Sequence, residues 1–288
     1  MSIMNKLPQH HSTQFASSGM ALVRIDLACS THSPIAYDHQ DDYYIFVLLE
    51  SGSGCGMVDF QEQQLGAGDL CIIQPGQVHR FVSSVDTRGW MLFVDSQFLG
   101  DEEKLVLDRF ALQASKVTVE AEVREEMQQM LLLLHGRLNS TLCQRGHAVS
   151  GRLAEAFVTM VAEAIQQTCH GGLRHSRRQV EILLKLRCLL NEHLHASHRP
   201  SFYASRLNIS TVYLNEVVKQ MTGMSTALYI KNEIVLQAKR RLVHTDFPIN
   251  QLAYQLGFDD QAYFSRLFTQ TVGITPSQFR SKYLGLCK

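Results

Sequence analysis

The chain has 288 residues, 45% hydrophobic and 19% charged, which is enough for two ordinary globular domains and too apolar for a disordered chain. No run approaches the ~18 consecutive apolar residues of a membrane span, and residues 1–18 lack the apolar segment of a signal peptide, so the expected location is the cytoplasm, away from any membrane. The seven cysteines, at 29, 55, 71, 143, 169, 188 and 287, are odd in number and form no C-x-x-C pair, which argues against a disulfide framework or a structural zinc site. The formal net charge of zero conceals a division: residues 1–173 carry 11 Lys and Arg against 20 Asp and Glu, a net of −9, and the remainder carries 16 against 7, a net of +9. A basic half joined to an acidic half points to a polyanionic partner for one of them.

In chain order, residues 20 to 95 read as β structure. Apolar runs at Ala21–Leu27, Tyr44–Leu49, Met57–Phe60, Leu70–Ile73, Arg80–Val82 and Trp90–Val94 alternate with turn clusters at Ser51–Gly54, Gly66–Asp69 and Pro75-Gly76. Many short strands with Gly and Pro turns predict a sandwich or barrel. From Glu120 to Leu138 and from His147 to Thr168 the apolar residues recur at helical spacing, predicting two helices that either pack on the barrel or form a dimer interface. Gly171 to Ser176 reads as a linker, and the chain beyond it reads as helical to its end.

The basic half contains a repeat. Ala204, Leu207 and Ile209 match Ala253, Leu256 and Phe258 at an offset of 49 residues, and Leu214, Val218 and Gly223 match Phe264, Phe268 and Gly273 at an offset of 50. In each copy a small residue permits close helix approach, and an apolar residue three later fills the space between helices. Asn208 or Gly257 suits a left-handed turn, and Ser210 or Asp259/Asp260 offers an oxygen to cap the next helix. That is the logic of helix-turn-helix. Between the copies, Ser225 to Val243 is helical in period and free of Pro and Gly. About 19 residues at ~1.5 Å each span roughly 28 Å, comparable to the ~34 Å between successive major-groove faces of DNA.

Residues 178–284 resemble the DNA-binding domain of the AraC/XylS family. The match is strongest at Ile249 to Phe268 (INQLAYQLGFDDQAYFSRLF) and at Gly273 to Arg280 (GITPSQFR). The first copy departs more, with Val218 where the family usually has Phe and Ile234 where its linker helix often has Arg. The resemblance implies a sequence-specific regulator that binds double-stranded DNA, activates transcription with RNA polymerase and forms a homodimer. It places Val212, Asn215 and Glu216 of the first unit, and Gln261, Ala262, Ser265 and Arg266 of the second, facing the bases. Arg suits guanine, Asn and Gln suit adenine, Glu accepts from cytosine, and Val or Ala can touch a thymine methyl. Lys219 is a candidate for the DNA backbone and also stands three residues from Glu216.

Gly68 to His79 (GDLCIIQPGQVH) resembles the second cupin motif, with His39 where the first motif begins. The sensor domains of AraC-like regulators have this fold, which implies a barrel holding a small-molecule effector. His39, His79 and Trp90 are the candidate ligand-binding residues. A metal-dependent cupin enzyme is the rival class, but the first motif (HQDDY, residues 39–43) lacks its second His, and His39, Asp41 and His79 would make only a poor three-ligand set. No cofactor, no metal and no catalytic residue are therefore assigned. The resulting fold is α+β in two domains. Residues 1–170 form a cupin-like β-barrel with a helical hairpin, 171–177 a linker, and 178–288 an all-α domain with two helix-turn-helix units.

Overall fold

The computed structural model describes residues 9–10, 19–26, 35, 37–111, 114–140, 147–168 and 177–284. The chain divides into two compact units, one of Pro8–Leu173 and one built on Arg174–Lys288. The expected linker, Gly171 to Ser176, lies outside the described residues.

In the first unit, strands β2 (Met20–Asp26), β4 (Tyr44–Val58), β5 (Gln61–Gly66), β6 (Asp69–Ile73), β7 (His79–Val94) and β8 (Lys116–Thr118) form one antiparallel sheet in the order β2-β7-β4-β6-β8, with β5 paired to β4. The short strands β1 (Gln9–His10) and β3 (Gln40–Asp41) pair in parallel beside it. β4 and β7 pair along most of their length, and the shifts of register between them curl the sheet.

Here the structure corrects one expectation. Ser51 to Gly54 is not a turn between two strands, but the bend of a single strand of 15 residues. The register with β7 shifts between Leu49 and Ser51, between Ser51 and Ser53, and again between Cys55 and Gly56. Bulges of this kind bend a strand and raise its twist, which is how a flat ribbon is curled. Gly52 sits at φ +76°, and a Cβ there would lie 2.3 Å from the Asp86 carbonyl oxygen, so the backbones meet where only glycine fits.

Side chains alternate between two apolar environments. Tyr44, Phe46, Leu48, Leu70, Ile72, Leu92 and Val94 pack beneath helices α1 (Asp101–Phe110), α2 (Ala121–Leu138) and α3 (His147–Thr168), against Met127, Leu131, Leu134, Phe157 and Val161. Tyr43, Ile45, Val47, Leu49 and Cys71 turn to the inside of the curl. Burial on both faces explains why Tyr44 to Leu49 reads as a continuous apolar run rather than an alternating one. The helical stripe of α2 and α3 is thus spent on the sheet, while Leu132, Leu133 and Val149 remain exposed.

The second unit contains seven helices among the described residues: α4 (Arg177–His193), α5 (Pro200–Arg206), α6 (Thr211–Thr222), α7 (Thr226–His244), α8 (Ile249–Gln255), α9 (Gln261–Val272) and α10 (Pro276–Leu284). The two repeats fold alike. Asn208 and Gly257 take left-handed φ of 54° and 82°, and the N–H groups of Ile209 and Phe258 donate back five residues to Ala204 and Ala253 at 3.1 and 3.0 Å. This is the helix-ending turn that a left-handed residue permits. Ala204, Ala253 and Leu256 are buried, as are Leu214, Val218, Phe264 and Phe268.

Candidate DNA interface and ligand cavity

The two second helices of the repeats, α6 and α9, are each 12 residues long and begin on side-chain caps. Ser210 Oγ accepts from Tyr213 N–H at 3.1 Å, and Asp260 Oδ1 accepts from Ala262 N–H at 2.8 Å. One face of each helix is buried. The opposite face of α6 presents Val212, Asn215, Glu216 and Lys219, all exposed. Val212 is 71% exposed and so takes no part in the core. On α9, Gln261, Ala262 and Arg266 are exposed and Ser265 is half-buried.

Asn215 has a second task. Its Oδ1 accepts from Thr226 N–H at 3.0 Å, at the start of α7. That oxygen is one of the two groups a bidentate adenine contact would need. The bond therefore ties α6 to the helix that follows it. At the far end of α7, Arg280 donates from Nε to the Leu242 carbonyl at 3.0 Å and from an Nη to the Phe247 carbonyl at 2.7 Å. Burial lowers the Arg280 pKa from its usual value, an effect partly offset by Asp246. Thr275 and Gln278 cap α10 reciprocally, with Gln278 N–H on Thr275 Oγ1 and Thr275 N–H on Gln278 Oε1. The 19-residue α7 is thus fastened at both ends. The sequence reading missed Asn215 and Arg280 as fasteners, because both bonds depend on backbone groups that no residue pattern marks. It also missed Tyr254 and Tyr263, which are 75% and 53% exposed although aromatics at helical spacing read as core.

In the first unit the curled sheet encloses a cavity of about 310 Å³. Val47, Leu49, Met91 and Phe93 supply its apolar wall, and His79 and Arg80 add polar groups. Of the three candidate ligand residues, His79 lines this cavity and His39 stands beside it, their ring centroids 4.1 Å apart. Trp90 is corrected. It lies on the other face of β7, 2% exposed, within the core beneath the helices. Its N–H donates to Glu50 Oε1 at 2.8 Å, and the Arg24 guanidinium covers its ring at 4.5 Å. Period-two alternation decides this: Met91 and Phe93 face the cavity, so Trp90 and Leu92 cannot. Burial alone would raise the Glu50 pKa, but the hydrogen bonds and charge of Arg24 and the Trp90 N–H outweigh it and hold the carboxyl below its usual value. Beside His39, burial pushes the Tyr43 hydroxyl above its usual pKa, with the Asp41 carboxylate adding to the shift, so Tyr43 stays protonated.

Residues 28–162 match the family model of the AraC-like ligand binding domain, and residues 203–282 match that of a helix-turn-helix domain. The chain is 24% identical over 277 residues to the HTH-type transcriptional activator RhaS of Salmonella schwarzengrund (strain CVM19633), covering 94% of this chain and 96% of that one. It is 22% identical over 274 residues to RhaS of Enterobacter sp. (strain 638), covering 89% and 95%. Among solved structures it is similar to unsaturated fatty acid bound wild-type ToxT from Vibrio cholerae strain SCE256, at 13% identity and a TM-score of 0.45, covering 91% and 94%.

A ligand-binding domain followed by paired helix-turn-helix units defines a transcription regulator, not an enzyme. The chain belongs to the AraC family. No helix among the described residues is long and apolar enough to cross a membrane.

Proposed function

We propose that this regulator activates transcription from promoters in the cytoplasm, as a homodimer working with RNA polymerase, in response to a small molecule held in the sheet cavity. The observation that carries the DNA half is the repeated turn: two units of the same geometry each present an exposed face, joined by one continuous helix. Val212, Glu216, Lys219, Gln261, Ala262, Ser265 and Arg266 are its contact residues, with Asn215 contributing through its amide nitrogen. The linker at 171–177 separates a sensor domain of 1–170 from a DNA-binding domain of 178–288. The resemblance to named activators supports activation rather than repression. The cavity supports control by a small molecule with an apolar body and a polar end, since its wall is aliphatic and aromatic with His79 and Arg80 among its lining residues.

Footprinting the full-length protein across its genome, followed by transcription in vitro from the bound promoters, tests this reading. The expected result is protection of paired half-sites and more transcript when the protein is added. Uniform protection of random DNA, or a fall in transcript, refutes it. A cavity-filling Met91→Trp variant should bind DNA normally and lose its response to the effector.

A further inference from the structure

We propose that His39, Asp41 and His79 form a binding site for one divalent first-row transition-metal ion beside the sensor cavity. The sequence reading assigns no metal because the cupin ligand set is incomplete. The fold brings together the three donors that remain, all of them buried and all within 4.8 Å of one another.

Strand pairing creates the cluster. His39 and His79 face each other across an antiparallel bridge, with His39 N–H on the His79 carbonyl at 3.1 Å and His79 N–H on the His39 carbonyl at 2.9 Å. Residues directly opposite in such a pair project to the same side. Asp41 lies two residues beyond His39 and so returns to that side.

The hydrogen bonds of the rings identify their donor atoms. His39 Nδ1 is 3.0 Å from the Tyr37 carbonyl oxygen, and His79 Nδ1 is 3.1 Å from that of Gln77. A carbonyl only accepts, so each Nδ1 carries its proton, and in a neutral ring Nε2 then holds a lone pair. Both Nε2 atoms approach the same oxygen, Asp41 Oδ2, at 3.8 and 3.1 Å. With both Nδ1 atoms committed, the two Nε2 atoms and Asp41 Oδ2 converge in a buried space that one metal ion can bridge, with the Tyr43 hydroxyl as an outer hydrogen-bond partner of Asp41.

The dimensions agree. Donors about 2.0–2.1 Å from a zinc-sized ion stand roughly 2.9–3.4 Å apart, so the His79–Asp41 approach already fits, the His39–Asp41 approach closes with a shift of ~0.4 Å, and the two rings, within 4.8 Å of each other, draw in by up to ~1.4 Å. The carbonyl contacts at Nδ1 are the kind that fix tautomer and orientation in ligating histidines. Two imidazoles and one carboxylate suit zinc, iron, cobalt or nickel better than magnesium or calcium. Three protein donors leave coordination positions for water or for a small molecule entering the cavity that His79 also lines.

This inference is independent of what the effector is, and its test reads metal rather than DNA. Full-length protein is stripped with chelator and titrated with Co²⁺, followed by visible absorption and by elemental analysis of the product. The expected result is one equivalent of cobalt with ligand-field bands, displaced by Zn²⁺. In Asp41→Asn and His79→Gln, with folding checked by circular dichroism, affinity should fall by more than the roughly 10–100-fold that loss of an outer partner costs. Proton NMR of the cobalt-loaded wild type should show two shifted exchangeable imidazole signals, a readout that survives if a variant fails to fold. No uptake by wild type, unchanged affinity in a folded variant, or shifted signals from other than two histidines overturns the proposal.

Discussion

At an offset of 50 residues, Arg266 of the second unit stands where the first unit has Glu216, and Ser265 where it has Asn215. The two recognition faces therefore carry opposite charge at one position and need not read DNA in the same way. Arg266→Ala should abolish preference at one guanine position, a loss of about 1–3 kcal/mol in discrimination, while non-specific affinity barely moves. Binding measured against a set of operators permuted one base at a time checks this, and a uniform loss would place Arg266 on phosphate instead. Asn215→Ala should behave differently, because its oxygen caps α7. Removing a cap costs about 0.5–2 kcal/mol of stability, so a lowered melting temperature and a weakening shared by all operators are expected. The sequence showed which residues stand on the exposed face of each helix, since burial there follows helical period. It could not show that Asn215 bonds to a backbone group 11 positions away, or that Trp90 turns from the cavity.

The elements were legible in proportion to their regularity. Helices α2 and α3, with their long stripes, appear where their periodicity puts them. Strand β5 escaped notice because its sequence, QEQQLG, is polar and half-exposed and alternates no apolar residues. Strand β8, with only three residues, is held by a partner the sequence does not mark. Asp69, at the start of β6, accepts from Thr118 Oγ1 at 2.7 Å and Lys116 Nζ at 2.8 Å on β8, and from Gly66 N–H at 2.9 Å. Burial favours its neutral form, but these donors together outweigh burial and hold the carboxyl below its usual pKa. A lowered pKa in the folded state contributes stability above the unfolded pKa, and that contribution is lost as pH falls through the folded value. Asp69→Asn should thus cost about 1–3 kcal/mol at neutral pH in urea denaturation. The gap from wild type should narrow as pH drops below about 4.

For the whole molecule, the separation of charge sets the response to salt. The half that carries the helix-turn-helix units has a net charge of +9 and the sensor half −9. Binding of the full chain to its operator should weaken steeply as salt rises, with a slope of log K on log salt near −0.9 for each phosphate neutralised. A flat salt profile in filter-binding or fluorescence titrations would mean that the basic half does not meet the DNA backbone.

The clamp of Arg280 on the end of α7, with the Asn215 cap at its beginning, has a consequence for the DNA rather than for the protein. A connector without slack fixes the helical phase at which the two half-sites of one monomer must stand. Inserting about 5 base pairs between them turns one half-site to the far side of the duplex, and binding should collapse. Inserting a full turn of about 10 restores the facing but adds roughly 34 Å of separation, beyond the reach of a 19-residue helix, so binding should stay lost. A loose connector would recover at the full turn. A single permitted spacing between half-sites is therefore the outcome expected of this insertion series.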